Sequence, residues 1–266
     1  MSPAGQADHE RLTDYFRQFP AVIVAFSGGI DSSVLVMAAF KALGVKAVAV
    51  TCESPTSDPS ESACASQLAG MFGFPHVILS RDELECEEFR RNPVDRCYFC
   101  KKQLSDKLIE YAGGNGVKVI VEGTNSDELA GHRPGFAALQ EVGIRSPLAE
   151  LGIGKDGVRA IGRLLGLPNA EKPSTACLAS RIPYGQEITS SVLARVGEAE
   201  SFLRSEGFGQ LRVRCFEDIA VIEVLPEDFD RVLDKREEIV GRLSELGFER
   251  ISLDLAGFRS GSMNQS

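Results

Sequence analysis

Apolar residues in the first half of the chain occur in short runs separated by stretches of helical periodicity. The runs predict buried strands over residues 22–26, 45–51, 76–80 and 117–121. Between them, apolar residues at helical spacing predict helices that begin near residues 12, 31, 60 and 100. Strands that alternate with helices form parallel βαβ units. The pattern therefore predicts an α/β fold built on a doubly wound parallel sheet.

The pattern changes near Tyr184, where shorter elements follow one another in a different order. It predicts a helix, two strands, a helix and a strand over residues 189–206, 211–215, 220–225, 229–246 and 250–255. This α-β-β-α-β order is typical of a small α+β domain. A loop rich in proline and glycine at residues 172–186 separates the two patterns. We therefore predict one domain over residues 1–183 and a second, smaller α+β domain over residues 184–266.

Polar loops follow three of the predicted strands, at residues 27–32, 51–54 and 123–128. In a doubly wound sheet, ligands bind in the crevice at the carboxyl ends of the strands. We therefore expect these loops to lie together around one ligand.

The first of these loops, Ser27-Gly28-Gly29-Ile30-Asp31-Ser32, joins a predicted strand to a predicted helix. The first turn of a helix presents unpaired N–H groups and a partial positive charge, so it binds anions. Adjacent glycines let the backbone approach a phosphate closely. The loop therefore indicates a nucleotide phosphate site, although an ordinary helix-capping turn has the same residues.

The charge balance limits the choice of partners. The chain has 29 basic and 38 acidic residues and a net charge of −9, which gives it no electrostatic reason to hold a nucleic acid backbone. Its apolar runs are all shorter than the roughly 20 residues that span a bilayer. We expect a cytoplasmic protein with neither a nucleic acid nor a membrane partner.

Seven cysteines, without a secretion signal, predict reduced thiols. Cys97 and Cys100 have the spacing of a redox pair, of half a zinc site or of part of an iron–sulfur site. With only three histidines, a zinc site is hard to complete. Cys177 lies between the predicted domains and before Arg181, so it is a candidate nucleophile. It could equally be a buried structural thiol.

Two arginines, Arg212 and Arg214, point to the same side of a predicted strand. Together they could hold a phosphate or a carboxylate, with Glu223 and Asp230 as partners, or they could form a solvated charged face. Asp31 or Glu128 could hold the magnesium ion that accompanies ATP. Arg133 and Arg181 are further candidates for phosphate binding.

Ser27-Gly28-Gly29-Ile30-Asp31-Ser32 matches the Ser-Gly-Gly-x-Asp-Ser signature of the PP-loop ATP pyrophosphatases. With residues 95–101, 122–128 and 172–185, the chain resembles the LarE family of ATP-dependent sulfur transferases, which build the nickel-pincer nucleotide. The resemblance implies a homo-oligomer that uses ATP and Mg2+. Its substrate would be pyridinium biscarboxylic acid mononucleotide, whose carboxylates are adenylated and converted to thiocarboxylates.

The resemblance and the strand ends together suggest the site residues. We expect ATP to be bound by Ser27, Gly28, Gly29, Asp31, Ser32, Thr51, Gly123, Thr124 and Asp127. We expect the substrate to be bound by Ser180, Arg181, Arg212, Arg214, Glu223 and Asp230. Catalysis would depend on Cys177, Asp31, Arg212 and Arg214.

The resemblance to the LarE family implies one of two groups, which differ in their cysteines. In one, a single cysteine that matches Cys177 gives up its own sulfur and becomes dehydroalanine. In the other, three cysteines hold a [4Fe-4S] cluster that takes up a further sulfide. Because Cys97, Cys100 and Cys177 are all present, the resemblance favours the cluster, with an unknown sulfide source. An amide ligase and a transfer-RNA thiolase on the same fold remain alternatives.

Overall fold

The computed structural model describes residues 3–129, 134–172 and 176–259. By its contacts the chain divides into two compact units. The first unit comprises Met1–Glu83 and Asp95–Thr175, and the second comprises Leu84–Val94 and Ala176–Ser266. The predicted domain boundary between residues 183 and 184 stays a prediction.

The first unit contains a four-stranded parallel sheet in the order β3-β2-β1-β4. Its strands are β1 (Val22–Ala25), β2 (Ala47–Glu53), β3 (His76–Ser80) and β4 (Ile120–Val121). Each lies within three residues of its predicted start and end. The sheet has the strand order of a doubly wound fold, and the predicted α/β class is confirmed.

Helices of the first unit are α1 (Pro3–Arg17), α2 (Ile30–Leu43), α3 (Pro59–Phe72), α5 (Arg96–Gly114), α6 (Pro134–Glu141), α7 (Pro147–Glu150) and α8 (Lys155–Leu164). Helix α5 begins four residues before its predicted start, so Cys97 and Cys100 lie in its first turn. The sequence analysis assigned no elements to the region of α6, α7 and α8.

Both faces of the sheet are buried. Because side chains alternate along a strand, neighbouring residues of β1 belong to opposite faces. On one face, Val22 and Val24 of β1 pack with residues of α1, α2 and α8, among them Leu12, Val34 and Ile161. On the other face, Ile23 packs with residues of α5 and α6, among them Leu108 and Leu139. Two separate apolar cores thus hold β1 in place from both sides.

The second unit contains helix α4 (Glu87–Arg90) and a three-stranded sheet with three longer helices. The sheet has the order β5-β6-β7, with β5 antiparallel and β7 parallel to β6. Its elements are α9 (Ser190–Ser205), β5 (Leu211–Phe216), β6 (Ile219–Val224), α10 (Phe229–Asp234), α11 (Arg236–Glu245) and β7 (Arg250–Leu253).

The predicted single helix over residues 229–246 is wrong, because two helices occupy that region. Lys235 separates them, with φ −94° and ψ 11°, a conformation outside the α-helical range. The apolar periodicity continues across this break, so sequence spacing alone could not detect it.

Asn92 fixes a loop of the second unit. It is fully buried and has a positive φ of 54°. Its amide nitrogen lies 3.3, 2.7 and 3.0 Å from the carbonyl oxygens of Ile182, Pro183 and Gln186. Its own carbonyl accepts the N–H of Gly185 at 2.9 Å. One side chain therefore satisfies several buried carbonyl groups that would otherwise be unpaired.

None of the helices that the structure describes is both long enough and apolar enough to cross a membrane.

Replacing Asn92 by alanine tests the contribution of its buried hydrogen bonds to stability. We expect the free energy of unfolding to fall by about 2–4 kcal/mol, because buried carbonyls lose their donor and alanine must adopt a positive φ. Urea denaturation followed by circular dichroism measures the change. Asn115→Ala is the control, since Asn115 donates to Tyr111 at an exposed helix end. Equal losses of unfolding free energy in the two variants would contradict this role of Asn92.

Candidate active site

The loop between β1 and α2 is tightly constrained. Gly28 has a φ of 77°, and a Cβ at this position would lie 2.8 Å from the carbonyl oxygen of Glu61 in α3. Ser32 donates to the carbonyl of Gly29 at 3.0 Å and accepts the N–H of Ser27 at 3.2 Å. The hydroxyl of Ser32 thus shapes the loop from within, while Ser27 remains exposed to a ligand.

Asp31, in the first turn of α2, connects the loop to two other segments. Its carboxylate accepts the side-chain amide of Asn125 at 2.9 Å and forms an ion pair with Lys155. Asp127 accepts the backbone N–H of Lys155 at 2.7 Å. The structure therefore brings together Asp31 and Asp127, which the sequence analysis selected, with Lys155, which it missed.

Lys155 and Gly154 begin helix α8, and no motif in the sequence marks them as ligand-binding residues. A Cβ on Gly154 would lie 2.6 Å from a carboxylate oxygen of Asp127, so the close approach needs glycine. The ammonium group of Lys155 places a positive charge beside the phosphate loop. This arrangement suits a polyphosphate.

Two of the remaining nucleotide candidates have internal partners. Thr51 donates to the carbonyl of Phe26 at 2.7 Å and lies 2.8 Å from His76 Nε2, which must then donate to it. Burial lowers the pKa of His76, which favours the neutral ring. Gly123 packs on the start of α2, where a Cβ would lie 3.1 Å from the Ser32 nitrogen. These contacts hold the three strand ends together.

Thr124 is held by a buried acid. The carboxylate of Glu122 accepts the backbone N–H of Thr124 at 3.0 Å and its hydroxyl at 2.9 Å. The hydroxyl of Ser146 donates to the other oxygen of Glu122. Thr124 is therefore oriented by Glu122, which the sequence analysis did not select as a site residue.

Cys97 and Cys100 lie in the first turn of α5, where Cys97 is exposed and Cys100 is half-buried. Arg81, just after β3, donates to the Cys100 carbonyl at 3.1 Å, and its terminal nitrogens lie 3.5 and 3.6 Å from Cys100 Sγ. Glu83 is completely buried and pairs with Arg81 at 2.7 Å. Arg81 and Glu83 are further residues that the sequence analysis missed.

Charges around Arg81 reinforce this arrangement. Although burial acts to lower the pKa of Arg81, the negative charges of Cys100 and Glu83 raise it above its ordinary value. Cys100 Sγ also lies 3.6 Å from a carboxylate oxygen of Glu83, so this sulfur contacts both members of the buried ion pair. Arg81 and Glu83 therefore fix the position of Cys100 at the start of α5.

In the second unit, two of the three candidate arginines form buried ion pairs. Arg181 contacts Glu200 through two hydrogen bonds of 2.7 and 3.0 Å. Arg214 contacts Glu223 through two of 2.9 and 3.0 Å. Such bidentate pairs fix the guanidinium planes and neutralise most of their charge. Glu200 was missed, although an acid at an apolar position of a helix is a visible signal.

These arginines also anchor the segment that contains Cys177. Arg181 donates to the carbonyl of Cys177 at 3.1 Å, and Arg214 donates to the carbonyl of Ser180 at 2.6 Å. Cys177 itself is exposed. The network therefore fixes the backbone of this segment and leaves the thiol accessible.

Arg212 differs from its neighbours. Among the described residues it has no ion pair with a carboxylate, and its guanidinium lies 4.9 Å from the ring centre of Phe258. Burial and the positive charges of Arg214 and Arg181 lower its pKa. An anion would relieve this repulsion, so Arg212 is the arginine best suited to bind one. Asp230 lies on α10 with an exposed side chain.

Over the part of the chain that the structure describes, no group of three or more histidine, cysteine, aspartate or glutamate residues could hold a metal ion. None of the seven cysteines forms a disulfide bond among the described residues. Arg133 lies outside the described residues.

Comparison with known proteins gives matches over most of the chain. The family model for asparagine synthase matches residues 15–190. The pyridinium-3,5-bisthiocarboxylic acid mononucleotide synthase of Lactiplantibacillus plantarum is 37% identical over 256 residues, which cover 96% of this chain and 93% of that protein.

Two uncharacterised proteins are similar over comparable lengths. One from Synechocystis is 41% identical over 258 residues, covering 96% of each chain. One from Methanocaldococcus jannaschii is 30% identical over 239 residues, covering 90% of this chain and 91% of that protein. The matches therefore include both units.

Replacing Lys155 by methionine tests its role beside Asp31. We expect kcat/KM for ATP to fall at least about tenfold, because the loop loses a cation that stabilises the leaving pyrophosphate. A coupled assay of pyrophosphate release measures the change. Lys107→Met is the control, since the ion pair that Lys107 forms among the described residues is an exposed one with Glu110. The role would be refuted by an unchanged kcat/KM in the Lys155 variant.

Replacing Arg214 or Arg212 by methionine separates a structural arginine from an anion-binding one. We expect Arg214→Met to lower the free energy of unfolding by about 3–5 kcal/mol, because the buried Glu223 loses both hydrogen bonds of its bidentate partner. Arg212→Met should cost about 1 kcal/mol or less, since it leaves no carboxylate unpaired. Urea denaturation distinguishes the two, and equal losses would contradict the assignment.

Proposed function

This chain belongs to the LarE family of ATP-dependent sulfurtransferases, and we propose that it converts the carboxylates of pyridinium biscarboxylic acid mononucleotide to thiocarboxylates. The observation that carries the proposal is the likeness to the Lactiplantibacillus plantarum synthase along both units. The phosphate loop beside Lys155 and the accessible thiols of Cys97 and Cys177 support it.

The first half of the reaction activates a carboxylate. A carboxylate oxygen of the substrate attacks the α-phosphorus of ATP, the bond to the bridging oxygen breaks, and pyrophosphate leaves with its electrons. The N–H groups of the loop around Gly28 and Gly29 and the ammonium group of Lys155 stabilise the charge on pyrophosphate. Oxygen atoms of Asp31, Asp127 and Glu128 are suitable ligands for Mg2+ that accompanies ATP.

The second half of the reaction replaces AMP by sulfur. A sulfur nucleophile attacks the carbonyl carbon of the acyl adenylate, a C–S bond forms, and the C–O bond to AMP breaks. Arg212 holds the phosphate of the mononucleotide. Among the described residues Arg181 and Arg214 form ion pairs with carboxylates, whereas Arg212 forms none. Arg181 and Arg214 keep the segment of Cys177 in place.

We propose that Cys97, Cys100 and Cys177 hold a [4Fe-4S] cluster. The chemistry of the donors supports this proposal, because soft thiolates are the ligands that iron–sulfur clusters prefer, and Cys97 and Cys100 lie three residues apart at the start of α5. Held by three thiolates, such a cluster would be able to take up a further sulfide for transfer. Arg81 orients the sulfur of Cys100 through its hydrogen bonds.

Anaerobic purification of the full chain tests the cluster. We expect iron, acid-labile sulfide and brown absorbance in the wild type, and their loss in Cys97→Ala and Cys177→Ala, because three thiolates are needed. Cys86→Ala is the control, since the Cys86 thiol contacts only Glu88 among the hydrogen bonds of the described residues. A colourless wild type whose Cys177 has lost one sulfur after turnover would establish the sacrificial route instead.

The substrate is tested in the same preparation. With ATP and the pyridinium nucleotide, the wild type should form AMP, pyrophosphate and thiocarboxylate. Asp31→Ala should release no pyrophosphate and keep its iron, because Asp31 belongs to the ATP site alone. AMP formed only with ammonia or with transfer RNA would identify an amide ligase or a transfer-RNA thiolase and would overturn the proposal.

A further inference from the structure

Asn169 lies beside the phosphate loop, outside every motif that the sequence analysis selected. It is 3% exposed and follows the helix α8. Its side-chain nitrogen donates to the carbonyl oxygen of Gly28 at 2.8 Å and to the hydroxyl of Ser33 at 3.0 Å. Both amide hydrogens are thus used on the loop and the first turn of α2.

The second of these contacts continues to the next carbonyl of the loop. Ser33 accepts from Asn169 and donates its own hydroxyl hydrogen to the carbonyl of Gly29 at 2.9 Å. Asn169 therefore holds the Gly28 carbonyl directly and contributes through Ser33 to the Gly29 carbonyl, which also accepts the Ser32 hydroxyl and the Ser33 N–H. Because both acceptors can only receive a hydrogen from this side, the orientation of the Asn169 amide is also determined.

The direction of a carbonyl determines the direction of the neighbouring N–H. A trans peptide is planar, so its C=O and N–H groups point in opposite directions. When the Gly28 carbonyl turns inward to Asn169, the N–H of Gly29 turns outward and donates to Ser27 Oγ at 3.3 Å, a long hydrogen bond that a phosphate oxygen could replace. Ser27 is exposed, so this is the side open to a phosphate.

The opposite side of the loop is closed by α3. A Cβ on Gly28 would lie 2.8 Å from the Glu61 carbonyl and 3.1 Å from the Ala65 nitrogen. The loop therefore cannot move toward α3, and Asn169 prevents the peptide from rotating. These two constraints together preorganise the N–H groups before ATP binds.

The side-chain carbonyl oxygen of Asn169 is evidence against a purely structural role. This oxygen is buried and has no hydrogen-bond partner among the described residues. A buried unpaired oxygen destabilises a fold by about 1–3 kcal/mol. An apolar side chain of similar size would avoid this cost, so the donor function toward the loop is what needs an asparagine.

We propose that Asn169 is a positioning residue for the cleavage of ATP. It holds the Gly28–Gly29 peptide so that the N–H of Gly29 faces the phosphate chain, and it does not touch ATP itself. The assignment rests on the ATP-dependent adenylation proposed above. The loop N–H groups act most strongly on the charge that develops on pyrophosphate, so their orientation affects kcat more than ATP binding.

Steady-state kinetics of Asn169→Ala and Asn169→Asp test the proposal. We expect kcat for pyrophosphate release to fall about ten- to a hundredfold in Asn169→Ala, with KM for ATP changed less than about threefold. Asn169→Asp should lose more, because a carboxylate would face the Gly28 carbonyl. Ser33→Ala should lose less, because the direct hydrogen bond from Asn169 to the Gly28 carbonyl is kept.

Thr13→Val is the matched control. Thr13 is 2% exposed and donates to the carbonyl of His9 in α1, so its loss removes a buried hydrogen bond far from the loop in sequence. Its melting temperature should fall while its kcat stays within about twofold of the wild type. An unchanged kcat in Asn169→Ala would overturn the proposal, as would a loss matched by Thr13→Val at equal folded fraction.

Hydrogen exchange gives a readout that does not need the substrate. Mass spectrometry of the peptide covering residues 26–33 should show faster exchange in Asn169→Ala than in the wild type or in Thr13→Val. Unchanged exchange would overturn the positioning role. If instead the wild type fails to turn over the pyridinium nucleotide but the exchange difference is present, the proposed substrate fails and the role of Asn169 stands.

Discussion

The pairing of β1 with a parallel strand on each edge is the constraint on which the rest of the first unit depends. Backbone hydrogen bonds to β2 and β4 and side-chain packing on both faces leave this strand a single position. Its carboxyl end therefore lies between the ends of its neighbours. The loop that follows it must turn sharply into α2, which is why Gly28 has a positive φ.

Contacts of a charged residue, Asp31, connect the segments that the sheet brings close together. Asp31 on α2 contacts Asn125 after β4 and Lys155 at the start of α8, so one carboxylate joins three segments that are distant in sequence. Lys155 brings a positive charge to this group of acidic residues through its ion pair with Asp31. The net charge of −9 of the whole chain does not reveal this local cation.

The second unit handles its arginines differently. Arg181 and Arg214 are neutralised by buried glutamates and serve to hold backbone carbonyls, while Arg212 keeps its charge beside them. Burying three guanidinium groups without partners would be very costly, whereas two ion pairs and one arginine on the ring of Phe258 are tolerated. Burial and the charges of Arg214 and Arg181 lower the pKa of Arg212, which is why we propose that this arginine binds the anionic group of the substrate.

The sequence by itself determined the α/β class, the position of each strand, the phosphate loop and the cysteines that suggest sulfur chemistry. These features depend on local periodicity and on motifs, which involve residues close to one another in the sequence. Only the tertiary structure revealed Lys155, Arg81 and Asn169, and the break at Lys235 within the expected helix. Each acts through a contact with a residue far along the chain, or through a backbone angle that leaves the apolar spacing unchanged, so no local pattern could reveal it.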